Sequence, residues 1–313
     1  MQISGAPTGG NEDVAFLKGH GTQNDFVVLP DPDARLDLSP EIVAAICDRR
    51  AGLGGDGILR VARAGALLDA GVLAELPDGV DAAHWFMDYR NADGSIAEMC
   101  GNGVRVFAHY LISAGLMPYN GTVVGSRAGA RPVVVHHHRG PEADISVSMG
   151  PVRRLGTSTA VLDGRVYEGL GIDVGNPHLA CVVDGLDAAG LAELDLTHRP
   201  DVDDSFFPAG VNVELITPPR DGAVAMRVFE RGVGETRSCG TGVIATAAAA
   251  LAFEGDSEGT VAVRVPGGLL EARIDEDGSI LRGPSVLLAS GTIDHRWWAA
   301  QKPHASTVAA VGT

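Results

Sequence analysis

Apolar and polar positions alternate from the start of the readable pattern. VAFLKGHG and NDFVVL, over residues 14–29, read as strand, turn, strand. Ser39-Pro40 then opens a helix through Arg50, with Ser39 as N-cap and Pro40 at the first helical position. A glycine-rich loop, AGLGGDG, leads into a further strand. Residues 84–99 predict a strand, a tight Asn91-Ala92-Asp93-Gly94 turn and a short approach to Cys100. Val104, Phe107, Ala108, Leu111 and Ile112 then fall at helical spacing, and Gly115 closes that helix. Strands follow at VVG, VVVHHH and ADISVSMG within residues 120–150.

The second half runs in a similar way. A strand-like IDVG precedes Asn176-Pro177-His178, and LACVV follows. Residues 184–210 are a polar stretch of helix and loop. VNVELIT and AVAMRVFER are strands, residues 239–253 an alanine-rich helix ending at Gly255, and VAVRVPGGLLEARID a hairpin. Residues 1–13 are expected to form a loose extension and 301–313 a flexible tail. Between them, residues 14–145 make one domain, completed by about 284–300, and 146–283 a second.

The halves echo each other. Cys100-Gly101-Asn102-Gly103-Val104 and Cys239-Gly240-Thr241-Gly242-Val243 each precede a helix, and thirteen residues separate Met87 from Cys100 and Met226 from Cys239. Such a long-period echo points to duplication into two similar domains whose equivalent cysteines face one cleft. A cysteine at a helix start lies among free N–H groups carrying partial positive charge, a setting expected to lower a thiol pKa from about 8.5. The same N–H groups suit a carboxylate, and glycine lets the backbone approach it closely. Two such sites imply a reaction in which one thiolate removes an α-proton and the opposite thiol returns one, inverting the stereocentre. Cys47 and Cys181 sit on apolar faces and read as small buried hydrophobes.

Bulk properties narrow the class. The chain has 313 residues, 45% of them hydrophobic, and a net charge of −16, with no basic stripe for nucleic acid. No basic start with an apolar run reads as a secretory signal, and the uncharged run 243–253 is too short to span a bilayer, so a cytoplasmic protein with reduced thiols is expected. Its four cysteines show no CxxC spacing, so neither zinc nor a disulfide framework is implied. The only lysines are Lys18 and Lys302, which argues against pyridoxal phosphate held as a Schiff base. His136, His137 and His138 alternate along a strand and cannot jointly chelate a metal.

The segments His20–Phe26, Asp48–Asp56, Asn91–Ser95, Met99–Arg105, Gly175–His178, Val211–Val213 and Glu230–Gly242 together resemble the diaminopimelate epimerases, over about residues 14–298. The resemblance implies an α+β fold of two pseudo-symmetric mixed α/β domains, each a barrel-like sheet around a central helix. It implies interconversion of LL- and meso-diaminopimelate without a cofactor, in lysine and peptidoglycan synthesis. By position Cys100 is the proton donor and Cys239 the acceptor. Backbone N–H groups of Gly101, Asn102, Gly240 and Thr241 hold the reacting carboxylate. Asn24, Asn91, Asn176, Asn212, Glu230 and Arg231 match substrate contacts, and His178 and Glu230 tune the thiols. The partner is a small molecule, with neither nucleic acid nor membrane, and a homodimer is left open. Many members carry a side-chain contact where this chain has Gly57, so that contact is expected to be lost or replaced. Proline-type racemases, a thiol redox switch and a non-catalytic amino-acid binder are the competing readings; assays on diaminopimelate and L-proline and thiol titration separate them.

Overall fold

The alternation at the start of the chain becomes β1 (Val14–Gly21) and β2 (Asn24–Pro30), paired antiparallel around Thr22 and Gln23, which both hold positive φ. The computed structural model describes residues 12–301. Nearly all of the extension and tail expected at the two ends lies outside those residues.

The first half continues through α1 (Pro40–Cys47), β3 (Gly57–Arg63), α2 (Ala64–Asp69), β4 (Trp85–Asn91), α3 (Gly101–Ser113), β5 (Thr122–Ser126), β6 (Gly129–Arg139) and β7 (Glu142–Gly150). The second contains β8 (Arg153–Leu162), β9 (Arg165–Asp173), β10 (Pro177–Val182), α4 (Ala188–Glu193), β11 (Asp201–Val202), β12 (Asn212–Ile216), β13 (Ala223–Glu230), β14 (Gly234–Thr236), α5 (Gly240–Glu254), β15 (Gly259–Val265), β16 (Gly268–Asp275), β17 (Gly278–Ile293) and α6 (His295–Ala300).

Strand pairing explains why two helices are buried. β1 through β7 pair successively, with β2–β3 and β4–β5 parallel, and β17 joins β7 to β1. The ring therefore closes without an edge. α3 runs inside it, buried from Gly101 to Ile112. β8, β9, β10, β12, β13, β15, β16 and the start of β17 follow one another around α5. α5 is small on every side, with Ala245 and Ala247 to Ala250 all buried, so the surrounding strands can pack closely on it. One continuous hydrophobic core includes the apolar residues of both helices.

The ends of the two helices follow the sequence. Gly115 takes a positive φ just after α3, and Gly255 does so as the cap of α5. α1 is shorter than its pattern predicts. It stops at Cys47, because Asp48 turns to an extended ψ and its Oδ1 accepts the N–H groups of Arg50 and Ala51. The reading of residues 153–162 and 278–293 assigned no strand, yet both form long ones. No helix among the described residues is long and apolar enough to cross a membrane.

Candidate active site

Each repeat cysteine is the N-cap of its helix. Cys100 and Cys239 adopt extended backbone angles, and their Sγ atoms accept the Gly103 and Gly242 N–H groups, both at 3.4 Å. The helix starts meet head to head. A Cβ at Gly240 would stand 3.2 Å from Gly101 Cα and 3.1 Å from Leu281 Cδ2, so these glycines permit the approach. Side chains join the two starts. Asn102 Nδ2 donates to the Ser238 carbonyl at 3.0 Å, Ser238 Oγ lies 2.8 Å from Thr22 Oγ1, and buried Arg105 donates to Thr22 and Asn102.

The remaining predicted residues gather around these starts. Asn24 Oδ1 accepts from the Cys100 thiol at 3.6 Å and from Asn102 Nδ2 at 3.2 Å. Thr241 Oγ1 lies 3.5 Å from Cys239 Sγ. His178 and Glu214 are wholly buried, with Nδ1 and Oε1 2.7 Å apart, and His178 Nε2 lies 3.2 Å from Asn176 Oδ1. Glu230 accepts from Thr236 and sits within the electrostatic reach of both thiols. Asn212 Oδ1 accepts the Arg231 backbone N–H at 2.8 Å, while the exposed Arg231 guanidinium donates to the Ala209 carbonyl. Asn91 is bonded within its own turn, to Ser95.

One expectation is reversed. Helix N–H groups do pull the thiols down, but burial outweighs them. Desolvation pushes Cys100 up to about 11, against the Gly103 N–H, and the Glu230 charge adds to the rise. Cys239 is raised further by burial, with Glu230 and Glu214 both contributing. In the free site both thiols are thus raised, not lowered.

Gly57 also has a physical reason. A Cβ there would lie 2.3 Å from the Arg90 carbonyl oxygen and 2.7 Å from Tyr89 Cε2, so no side chain fits. The Tyr89 ring packs edge-on against Phe26 and has Cys100 and Glu230 among the charges that act on its hydroxyl. Sequence reasoning missed Tyr89, although it stands two residues beyond Met87 in the repeat. It also missed Asp56, which accepts from Asn24 Nδ2 at 2.7 Å, the Asp25 N–H at 3.0 Å and Arg49 at 2.7 Å. Lys18 is engaged by Asp25 and the Gly54 carbonyl. Cys47 and Cys181 are buried free thiols, and neither caps a helix start. His136 meets Ser146, while His138 meets Ser113 and Tyr119, so the three consecutive histidines do not converge.

Comparison with known proteins bears on this arrangement directly. The family profile described as Diaminopimelate epimerase matches residues 16–155 and 171–288. The chain belongs to the diaminopimelate epimerase family. Similar proteins named diaminopimelate epimerase include one from Rhodococcus erythropolis, 65% identical over 90% of this chain and 97% of its own length. Another, from Mycolicibacterium smegmatis, is 59% identical over 90% and 98%. Solved structures extend the fold beyond the diaminopimelate epimerases. A predicted epimerase from Pseudomonas aeruginosa superposes with a TM-score of 0.62 at 13% identity, covering 90% of this chain and 99% of its own. A hydroxyproline epimerase from Agrobacterium vitis, with trans-4-hydroxy-L-proline bound, gives 0.60 at 16%, covering 90% and 92%. These likenesses establish a shared two-domain α+β fold.

Proposed function

We propose that this chain converts LL-2,6-diaminopimelate to meso-diaminopimelate by a two-base reaction at Cys100 and Cys239. The observation that carries the reading is the pair of N-cap thiols on two helices whose starts abut. A carboxylate between those starts receives N–H groups from Gly101, Asn102, Gly240 and Thr241. These stabilise the enolate-like charge that develops as the α-proton leaves. Cys239, as the thiolate, takes that proton, and Cys100, as the thiol, delivers one to the opposite face; the roles exchange in the reverse direction.

Cys239, the thiol that must ionise to act as the base, is raised by burial and by the charges of Glu230 and Glu214, so a compensating positive charge favours the reaction. The substrate's α-ammonium is the cation that enters with the reaction, and the half-buried Glu230 is its counter-charge in this reading. His178 and Glu230 tune the thiols, and Asn24, Asn91, Asn176, Asn212 and Arg231 hold the rest of the zwitterion. Residues 14–145, completed by about 284–300, and residues 146–283 form the two domains in this scheme. The cytoplasm, where thiols stay reduced, is the fitting compartment. A homodimer is an assembly that sedimentation can test.

The decisive assay supplies LL-diaminopimelate in deuterium oxide. Inversion with one α-deuterium per product is expected, while L-proline is expected to show no exchange. Cys100→Ala and Cys239→Ala are each expected to abolish turnover. Near wild-type activity in either variant removes the two-base mechanism.

A further inference from the structure

The two halves repeat the same strand register around their cysteines but fill it differently. Phe26 stands opposite Gly57 on the parallel pair β2–β3, and His178 opposite Asn212 on β10–β12. Two residues on, Leu59 pairs with Tyr89 and Glu214 with Val228. The same residues rise beneath the helix starts. A Cβ at Gly103 would lie 3.3 Å from Leu59 Cδ2, and one at Gly242 would lie 2.7 Å from Glu214 Oε1. Phe26, Leu59 and Tyr89 therefore underlie Cys100, while His178, Glu214 and Val228 hold the equivalent places beneath Cys239.

A carboxyl in that place is costly. Glu214 has no exposure, and its Oε2 is buried without a hydrogen-bond partner among the described residues. Its one strong contact is Oε1 with His178 Nδ1. On its other edge, His178 Nε2 meets the Asn176 amide oxygen, which only accepts, so Nε2 carries a hydrogen. Nδ1 and Oε1 then share the remaining proton, and the pair is neutral overall wherever that proton sits. The titratable groups facing Glu214 are His178 and Cys181 from β10, Glu230 from β13 and Cys239 at the start of α5.

We propose that Glu214 is a positioning residue for the Cys239 side of the reaction. It fixes the His178 ring with Nε2–H toward Asn176, and it occupies the space over Gly242 beside the thiol. The two faces of the substrate α-carbon then meet thiols in unlike surroundings, one over an apolar cluster and one over a proton-sharing pair. The proposal rests on the two-thiol reading above.

Glu214→Gln tests it, because the amide keeps an acceptor for Nδ1–H but takes no part in sharing a proton. Two readouts apply: kcat/KM against pH, and iodoacetamide alkylation of each cysteine against pH, followed peptide by peptide by mass spectrometry. kcat/KM is expected to fall by about tenfold or more, with its acid limb displaced by about one pH unit. The Cys239 alkylation profile is expected to move, because the proton-sharing carboxyl beside that thiol is gone, while that of Cys100 stays in place. A loss of activity equal at every pH, with the Cys239 profile unmoved, overturns the proposal. If Glu214→Gln does not fold, Glu214→Asp draws the carboxyl back from His178 without adding bulk beside Cys239. It carries the same expectation, and an unmoved Cys239 profile there also overturns the proposal. Cys239→Ala run in parallel separates the two ideas. Full turnover in it ends the two-thiol reading, whereas an inactive Cys239→Ala beside an unmoved Glu214→Gln profile ends only the role of Glu214.

Discussion

Asp56→Ala removes the group that orients Asn24 against the Cys100 thiol. Asp56 Oδ2 accepts from Asn24 Nδ2 and from the Asp25 N–H, while Oδ1 accepts from Arg49. With Nδ2 held there, the Asn24 amide oxygen must face Cys100 and Asn102. Once released, the amide can rotate and present its NH2 group to the thiol. The Asp56 side chain is 41% exposed and that of Arg49 59%, so their ion pair contributes below about 1 kcal/mol. The bond from Asn24 is part-buried and made to a charged acceptor, which places it near ~2 kcal/mol. If all of that is expressed in the transition state, kcat/KM for LL-diaminopimelate falls about 10–30-fold. Asp56→Asn keeps one acceptor and is expected to fall between. Arg49→Ala, which leaves the Asn24 bond in place, is expected to change kcat/KM by less than about threefold. Initial rates on LL-diaminopimelate, with denaturation midpoints to confirm folding, decide the matter. A folded Asp56→Ala enzyme within twofold of wild type would show that Asn24 does not need holding.

Two further outcomes follow from packing and charge. Gly57→Ala drives a Cβ into the Arg90 carbonyl between β3 and β4, and should destabilise the protein by about 2–3 kcal/mol in urea denaturation; an unchanged midpoint would mean that the strands part easily there. Burial alone would raise the Asp25 carboxyl, but hydrogen bonds from Arg49 and Lys18 outweigh it and bring it down to about 2. Because the folded value lies below the unfolded one, this contribution is complete above about pH 4 and is lost as pH falls toward 2. It amounts to about 1–2 kcal/mol after allowance for solvent screening. Asp25→Asn should flatten the acid limb of stability over that window, as read by thermal melts from pH 5 to 2.5, and an identical slope in both proteins would exclude the pairing as its source.

Local signals made part of this molecule legible. The hairpin at residues 14–30, the helices behind Cys100 and Cys239, and the echo between them rest on periodicity, caps and turns that act within a few residues. β17 does not announce itself in that way. Its pairings reach β16, β7 and β1, so its role in closing the first barrel exists only in three dimensions. The thiols show the same limit. Their helix-start setting was readable and its sign correct, but the opposing desolvation depends on how deeply the surrounding strands bury them. Gly57 looked like a lost contact, although the neighbouring strand leaves no room for one. Glu214 could have been found, because a lone carboxylate within the strand NVELI, buried throughout, calls for a partner, and His178 lies on the adjacent strand.

The proposed site also accounts for how a chain of net charge −16 would hold a carboxylate. Helix first turns ordinarily favour acidic residues, which offset the exposed N–H groups. α3 and α5 have none there, so both ends keep their positive field for a ligand. α3 goes further and places Arg105 near its own start, against the usual dipole preference. Burial lowers that guanidinium only to about 10, so it remains charged at neutral pH. It donates to Thr22 and Asn102, the same side chains that reach Ser238 ahead of α5. The attraction for an anion thus comes from two converging helix ends and one buried cation inside the barrels, and the acidic surface does not need to supply it.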